Sequence, residues 1–385
     1  MVDYYIYNDV KNSCKGTKGV KSMNNMRKHY VDNIRWITVV LVVIYHVVYM
    51  YNGVATAGVI GPFSEVQYQD GLLYLFYPWF MVILFIVSGM SSRYYLEKHT
   101  IKEFIASKTR KLLVPSTLGL FAFQWIQGYF SMAISNAFET FANEIPSKVI
   151  LYFIMCLSGT GVLWYIQMLW ILSLGLALIR RFEKGKLYEF CRKVNPVILL
   201  ALGILVWGAA QVGNTPVIVV YRFGIYGFCF LLGYFVFAHE EVVERLKKYW
   251  HILAVSAVIF GIAYVYYYFG ENYAVEPIVS SPFSILYGWV AILAIFAGMK
   301  KWGDRTTGFT SFMAKKSFGL YVFHYLPLSV VAYGMYRYMQ VPAFVSYIVA
   351  GIAAFAGGYL LFEILSRIPV LRWLVLGIKK EKKNV

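Results

Sequence analysis

Long runs of apolar residues recur along this 385-residue chain, separated by short segments that carry most of its charges. A helix crosses the hydrocarbon core of a bilayer, about 30 Å thick, with roughly 20 mostly apolar residues. The pattern predicts ten such helices, at residues 34–51, 72–94, 112–134, 160–179, 196–213, 217–238, 250–269, 282–299, 316–336 and 343–365. We therefore expect an all-α fold, a bundle of about ten transmembrane helices in a multi-pass membrane protein.

The composition also favours a chain embedded in a membrane. Hydrophobic residues make up 59% of the sequence and charged residues only 14%, whereas about a quarter of the residues in a soluble domain are charged. Both ends are polar and basic, so we expect a tail at 1–30, a membrane domain at 31–366 and a second tail at 367–385. No cleavable signal sequence precedes the first apolar run. Any chemistry should therefore take place within the helical bundle.

The net charge of +17 raises the question of a nucleic-acid partner, and the placement of the charges answers it. Of the 36 Lys and Arg residues, 32 fall in the two tails and in alternate loops of the ten-helix arrangement. The other loops hold only Lys148 and Arg337, while Arg35 and Arg222 lie within predicted helices. Basic residues collect on the cytoplasmic side of membrane proteins. We therefore expect both termini in the cytoplasm, a location in the cell (plasma or inner) membrane, and no nucleic-acid partner.

Several common kinds of site find no support in the sequence. The four cysteines lack the spacing of a disulfide framework or a zinc site, so we predict no metal and no bound cofactor. Phosphate loops, dinucleotide fingerprints, zinc-protease motifs and nucleophile elbows do not occur. The Ser88-Gly89 pair ends an apolar run, and we interpret it as a backbone bend instead of a nucleophile.

Two ionisable residues in the first predicted helix are the leading candidates for chemistry. Such side chains are costly inside a bilayer unless they face protein or water, and they commonly mark functional sites. Eleven helical residues place Arg35 and His46 about 16 Å apart along the axis and within about 20° of the same face. Each also has an ordinary explanation, because Arg35 could reach lipid headgroups and His46 could bridge two helices.

Other polar residues within predicted helices form a secondary set of candidates. His324 is a second imidazole at mid-depth, and an interhelical hydrogen bond would explain it. Arg222 lies in the outer part of the sixth predicted helix, where we expect it to pair with Asp70 or Glu65. Gln167 is more typical of a residue that joins two helices than of a catalytic group.

The segment between the second and third predicted helices has apolar and basic residues at helical spacing. Ile101 and Phe104 alternate with Lys102 and Lys108, which predicts a basic amphipathic helix on the cytoplasmic interface. Pro115 should mark its end.

Six segments, taken in order, resemble the bacterial membrane acyltransferase-3 family. They are Val31–Trp36 with its continuation to His46, Leu84–Gly89, Lys108–Pro115, Leu163–Ile166, Phe230–Gly233 and Ser317–His324. The first is similar to the family's opening segment, in which ten residues separate an Arg from a His. The resemblance extends from about residue 30 to 365, and the family's ten helices agree with the number predicted here. One departure is Lys108, where members commonly have an arginine, whose planar group can bind oxyanions in a bidentate manner.

The resemblance implies an O-acyltransferase that modifies a sugar, a glycolipid or another hydroxylated acceptor on the extracytoplasmic side. The co-substrate would be acyl-CoA, with acetyl or another short chain, and membrane lipids would surround the protein. Arg35, with Arg110 and Lys111, would bind the phosphate oxygens of the donor. His46 would be the general base for the acceptor hydroxyl or a transiently acylated nucleophile.

Two other functions stay open from the sequence. A permease or flippase for a glycan or lipid precursor would also need many helices and a polar cavity, although no internal repeat supports a transporter. A membrane-bound O-acyltransferase of the unrelated architecture would have its catalytic histidine later in the chain, where His324 is the candidate.

Overall fold

Helices form every regular element of the described part of the chain. The computed structural model describes residues 28–54, 58–141, 147–215 and 219–378. The α-helices are α1 (His29–Tyr49), α2 (Gly71–Leu96), α3 (Ile101–Lys108), α4 (Val114–Ser116), α5 (Trp125–Ile134), α6 (Ala137–Phe141), α7 (Lys148–Ser158), α8 (Trp164–Phe182), α9 (Lys186–Cys191), α10 (Pro196–Ala210), α11 (Phe223–Leu232), α12 (Glu240–Lys247), α13 (Trp250–Tyr268), α14 (Pro282–Trp302), α15 (Gly308–Phe323), α16 (Tyr325–Tyr338), α17 (Ala343–Ile352), α18 (Gly358–Arg367) and α19 (Pro369–Leu376). π-Helical turns occur at Thr109–Leu113, Leu120–Gln124, Gly233–Phe237 and Ala353–Gly357, and 3₁₀ turns at Tyr68–Asp70 and Gly161–Leu163. The all-α prediction is confirmed for these residues.

Six of the described helical segments are long and apolar enough to cross a membrane. They are His29–Tyr49, Tyr68–Leu96, Gly161–Phe182, Trp250–Tyr268, Pro282–Trp302 and Ala343–Arg367. The number rises to eight if each of two bent pairs forms one span, Phe223–Phe237 with Glu240–Lys247 and Gly308–Phe323 with Tyr325–Tyr338. Helices α7 and α10 are apolar but shorter. Ten crossings therefore stay a prediction, as does the location of the termini, since the tails at 1–27 and 379–385 lie outside the described residues.

The third and fourth predicted helices take a more broken course than the sequence suggested. Residues 109–134 pass through two π-helical turns and a break at Thr117, just after Pro115. The next helical segment starts at Lys148, not at residue 160. It is interrupted by the 3₁₀ turn at Gly161–Leu163 before it continues as α8.

These two paths run antiparallel over their whole length. Trp170 donates a hydrogen bond to the Thr109 hydroxyl (3.1 Å), and Gln167 donates one to the Ser116 carbonyl oxygen (3.0 Å). Further along, a Cβ atom on Gly128 would lie 1.7 Å from the Met155 carbonyl oxygen. Backbone therefore meets backbone between α5 and α7, an approach that only glycine permits.

Helix α2 lies at the centre of the bundle, and nearly all its side chains from residue 79 to 92 are buried. It crosses α11 and the following turn at two glycines. A Cβ atom on Gly89 would lie 1.9 Å from the Phe230 carbonyl oxygen, and one on Gly233 would lie 2.0 Å from that of Ile86. The expected bend at Ser88-Gly89 is wrong, because α2 continues to Leu96. Gly89 serves instead to bring two helix backbones into contact.

The segments that the charge pattern assigns to one side of the membrane lie together at one end of the bundle. Lys300 forms ion pairs with Glu240 and with Asp304 (2.6 Å), and Lys28 pairs with the same Glu240. Burial alone would raise the pKa of the Glu240 carboxyl, but hydrogen bonds from Lys28 and Lys300 lower it below its usual value. At the opposite end, Tyr74 donates a hydrogen bond to the Glu271 carbonyl oxygen (2.6 Å). The two ends of the bundle thus correspond to the two predicted sets of loops.

Candidate functional site

Two imidazoles from distant parts of the chain meet inside the bundle. His46 lies in α1, and His324 lies between α15 and α16. The Nε2 atom of His324 is 3.1 Å from the Nδ1 atom of His46, and their ring centroids are 5.0 Å apart. His324 is completely buried, and His46 is partly buried. The sequence placed both residues within predicted helices but gave no reason to pair them.

The hydrogen-bond partners determine which nitrogens carry protons when both rings are neutral. Nδ1 of His324 lies 2.9 Å from the Tyr321 carbonyl oxygen and 3.1 Å from that of Leu320. Carbonyls only accept hydrogen bonds, so this nitrogen is the donor and Nε2 keeps a lone pair. Nδ1 of His46 then donates to the Val42 carbonyl oxygen (2.8 Å) and toward His324. The remaining nitrogen of His46, Nε2, consequently has the free lone pair of a base.

A break in the helical path positions His324. The axes of α15 and α16 differ by 49° at this residue, and Pro327 cannot donate the backbone hydrogen bond that would continue the helix. Helix α18 packs against the break, because a Cβ atom on Gly358 would lie 3.0 Å from the His324 Cα atom. His324 thus lies at the break itself, where its ring contacts His46.

Arg35 lines a cavity within the bundle. Its guanidinium donates hydrogen bonds to the Ser91 hydroxyl (2.5 Å) and to the Asp32 carboxylate (3.2 Å). The empty space of this cavity, with its open mouth, is about 560 Å³. Tyr321 also lines it, and the Tyr321 ring centroid lies 6.3 Å from that of His324. Tyr321 thus lies between the cavity and His324, and neither imidazole is among the residues that line the cavity.

The second cation in the cavity is Lys108, which the sequence assigned to the membrane interface. Lys108 is 4% exposed and Lys111 is 7% exposed, so α3 and the following turn pack into the bundle at these positions. Lys108 lines the cavity with Arg35. Arg110 and Lys111, the predicted donor-binding residues, are not among the side chains that line it.

Three neutral polar side chains at or beside the cavity were not candidates for the site from the sequence. Tyr165 and Ser88 exchange a hydrogen bond between their hydroxyls (2.9 Å), and both line the cavity. Ser91 contacts Arg35 directly. Tyr165 belongs to the segment Leu163–Ile166, so only the family resemblance pointed toward it.

The remaining candidates lie away from the histidine pair. Asp70 accepts hydrogen bonds from the Gly53 backbone (2.9 Å) and from Gln67 (3.3 Å), so it holds the α1–α2 loop. The expected ion pair between Arg222 and Asp70 or Glu65 is not formed among the described residues. Gln167 donates to Ser116 and accepts from Tyr221, which confirms the expected role of joining segments.

Comparison with known proteins identifies a family over most of the chain. The acyltransferase-3 family model, described as an acyltransferase domain, matches residues 28–363. No curated protein and no solved structure matches the chain. The match includes α1, both histidines and all cavity-lining residues described above.

Proposed function

Because this chain belongs to the acyltransferase-3 family, we propose that it moves an acyl group from cytoplasmic acyl-CoA to an acceptor hydroxyl presented from the other side of the membrane. The donor would have a short chain such as acetyl, and the acceptor would be a sugar or glycolipid. The observation that carries this proposal is the pairing of His46 with His324 next to Tyr321, which lines a cavity that also contains Arg35 and Lys108.

The cationic part of the cavity suits the phosphate groups of the donor. Arg35 and Lys108 would attract phosphate oxygens by charge-assisted hydrogen bonds. The pantetheine arm would then extend along α1 toward His46, about 16 Å from Arg35 for eleven residues of helix. The apolar cavity wall, with Val39 and Leu84, suits an extended chain of low polarity.

The histidine pair suits the transfer step. Nε2 of His46 would take the proton from the acceptor hydroxyl, and the freed oxygen would attack the thioester carbonyl carbon as the CoA thiolate leaves. His324 would accept the hydrogen bond from Nδ1 of His46 and so hold that ring in the reactive orientation. In an alternative sequence of steps, Nε2 of His46 attacks the thioester first and then passes the acyl group to the acceptor.

The first experiment measures the thermal stability of the purified, detergent-solubilised protein with acetyl-CoA, longer acyl-CoAs and free CoA. A ligand that binds only the folded protein stabilises it by about 2.7 kcal/mol at a hundredfold excess over Kd. We expect a rise in Tm with acyl-CoA that is reduced in Arg35→Gln and Lys108→Gln, and retained in Arg110→Gln. Equal responses in all three variants would remove the cavity from donor binding.

A permease or flippase is the competing function. It predicts no response to any CoA species at millimolar concentration and no acylated product. That combined result would overturn the acyltransferase proposal.

A further inference from the structure

A buried arginine without a carboxylate partner lies near the end of the bundle opposite to Arg35. Arg222 directly precedes α11 and is 5% exposed. Its guanidinium donates one hydrogen bond to the Val279 carbonyl oxygen (3.2 Å) and contacts the Tyr226 hydroxyl. Its Nε atom has no hydrogen-bond partner among the described residues. Arginine stays protonated in proteins, so a positive charge is enclosed here, and the described groups in contact with it are neutral.

The nearby carboxylates are engaged elsewhere. Glu276 accepts hydrogen bonds from Asn214 (3.1 Å) and from Ser280. Asp70 is occupied by the α1–α2 loop. Within the described part of the chain, Arg222 forms no ion pair.

Arg222 borders a small cavity with several hydroxyl groups. The empty volume is about 230 Å³. Besides Arg222, its polar lining residues are Tyr77, Tyr264, Tyr273 and Ser284. Hydroxyls and a guanidinium can all donate hydrogen bonds to one anion. A buried guanidinium without a counter-charge is unfavourable by several kcal/mol, and the amino end of α11 adds positive potential at the same place.

The cavity adjoins the aromatic cluster around the catalytic candidate. The Tyr273 hydroxyl lies 3.1 Å from that of Tyr45, and the Tyr45 ring centroid lies 5.3 Å from that of His46. A molecule that placed one group at Arg222 could therefore extend along these rings toward the imidazole.

We propose that Arg222 and the surrounding hydroxyls bind a negatively charged group, phosphate or carboxylate, of the acceptor. This inference rests on the proposed function, and it specifies that function further: the acceptor is an anionic glycan or a phosphate-bearing lipid precursor, not a neutral sugar. The guanidinium holds the charged group while an acceptor hydroxyl reaches Nε2 of His46.

The test uses the whole purified protein in a buffer whose only anion is the bulky MES. Thermal stability is measured against glycerol 3-phosphate, glucuronate, chloride, glycerol and glucose, in the wild type, Arg222→Gln and Arg337→Gln. Arg337 is an exposed arginine of the same predicted side, so its variant is the matched control for loss of a charge. We expect glycerol 3-phosphate or glucuronate to raise Tm saturably, by about 2 to 4 °C or more, in the wild type and Arg337→Gln but not in Arg222→Gln.

Three results would overturn the inference. Chloride alone could raise Tm, which would leave a small-ion site without an acceptor role. The organic anions could act equally in Arg222→Gln, which would place their binding elsewhere. Arg222→Gln could be much less stable than the wild type in the MES buffer without added ligand, as expected for a purely structural arginine; an unpaired buried charge predicts equal or higher stability instead.

The same protein samples receive acetyl-CoA in parallel. A response to acetyl-CoA without any response to organic anions would contradict only the assignment at Arg222. A response to the anions without one to acetyl-CoA would contradict the acyltransferase proposal and leave the anion site in place.

Discussion

At the scale of single residues, the hydrogen bond between His46 and His324 would give each imidazole a different task in the proposed reaction. A neutral His324 can accept a hydrogen bond from Nδ1 of His46, but it brings no negative charge to stabilise the imidazolium that forms during proton transfer. Serine-protease triads use a carboxylate at this place. We therefore expect His324 mainly to hold the His46 ring in its reactive orientation, and to contribute less to stabilising the positive charge on that ring.

Substitution of the two histidines should separate these tasks. His46→Ala should abolish acyl transfer, because the base or nucleophile is gone. His324→Ala should reduce the rate by roughly 10²- to 10⁴-fold, the usual range for general acid–base assistance, and His324→Gln should recover part of it because the amide oxygen can accept from Nδ1. Release of CoA from acetyl-CoA by membrane vesicles containing each variant measures the rates, with Tm as the check on folding.

The pattern of loss also shows which histidine acts on the substrate. Full activity in His46→Ala with none in His324→Ala would remove His46 from its proposed role and make His324 the base. Equal loss in His324→Ala and His324→Gln, with lower Tm in both, would reduce His324 to a packing residue.

Sequence reasoning located the site's residues more readily than their contacts. The periodicity of one helix put Arg35 and His46 on a common face, and in the structure Arg35 lines the cavity while His46 contacts His324. The partner of His46 could not be predicted, since 278 residues separate it from His324. Lys108 was assigned to the interface because a basic helical repeat does not reveal that its lysine points inward.

At the scale of elements, glycines set the distances between helices. At the crossing of α2 with α11, a Cβ atom on Gly89 would lie 1.9 Å from a backbone oxygen, which cannot move aside as a flexible side chain could. This crossing supports Ser88 and Ser91, the α2 residues at the cavity and at Arg35.

A glycine-to-alanine pair should reveal this packing. Gly89→Ala should destabilise the protein by about 1 to 3 kcal/mol or more, the usual cost of overpacking a core. Gly298→Ala in α14 is the matched control, because a Cβ atom there meets nothing within 4 Å and alanine favours a helix by up to about 1 kcal/mol. Thermal unfolding in detergent measures both. A Gly89→Ala variant as stable as the Gly298→Ala variant would show that the two backbones are not in contact.

The apolar pattern predicted the existence of most helices and failed on their breaks. Uninterrupted helices such as α1, α2 and α14 have the lengths expected from about 20 apolar residues. Residues 109–134 are divided into several short helical segments, and the next helix is interrupted near Gly161. Both features follow from local backbone geometry and from contacts between α5 and α7. Hydropathy averages over such features, so the sequence could not show them.

At the scale of the whole molecule, the arrangement requires access from both ends. The Arg35 cavity faces the end that contains the cluster of Lys28, Glu240 and Lys300, and Arg222 lies toward the opposite end. Charge placement predicts that the first end is cytoplasmic. The acyl group would then cross about half of the membrane, about 16 Å of 30 Å, while attached to its donor.

Thiol labelling of intact cells tests this orientation. Three exposed positions are replaced by cysteine: Ser64 after α1, Ser135 after α5 and Lys248 after α12. A membrane-impermeant maleimide should label Ser64→Cys and Ser135→Cys in intact cells, and Lys248→Cys only after permeabilisation. The unsubstituted chain is the control for its own cysteines. Labelling of Lys248→Cys from outside would reverse the orientation, and protection of Ser135→Cys would mean that residues 109–134 do not cross.

The inward position of Lys108 has a consequence for how the donor is held. Mobile ions weaken the attraction between exposed charges beyond about 8 Å at physiological ionic strength, but they reach enclosed pairs much less. Arg35 and Lys108 lie in a cavity whose other walls are largely apolar. The affinity for acyl-CoA should thus change little between dilute and concentrated potassium chloride, and the enzyme would work alike in cytoplasms of very different osmotic strength.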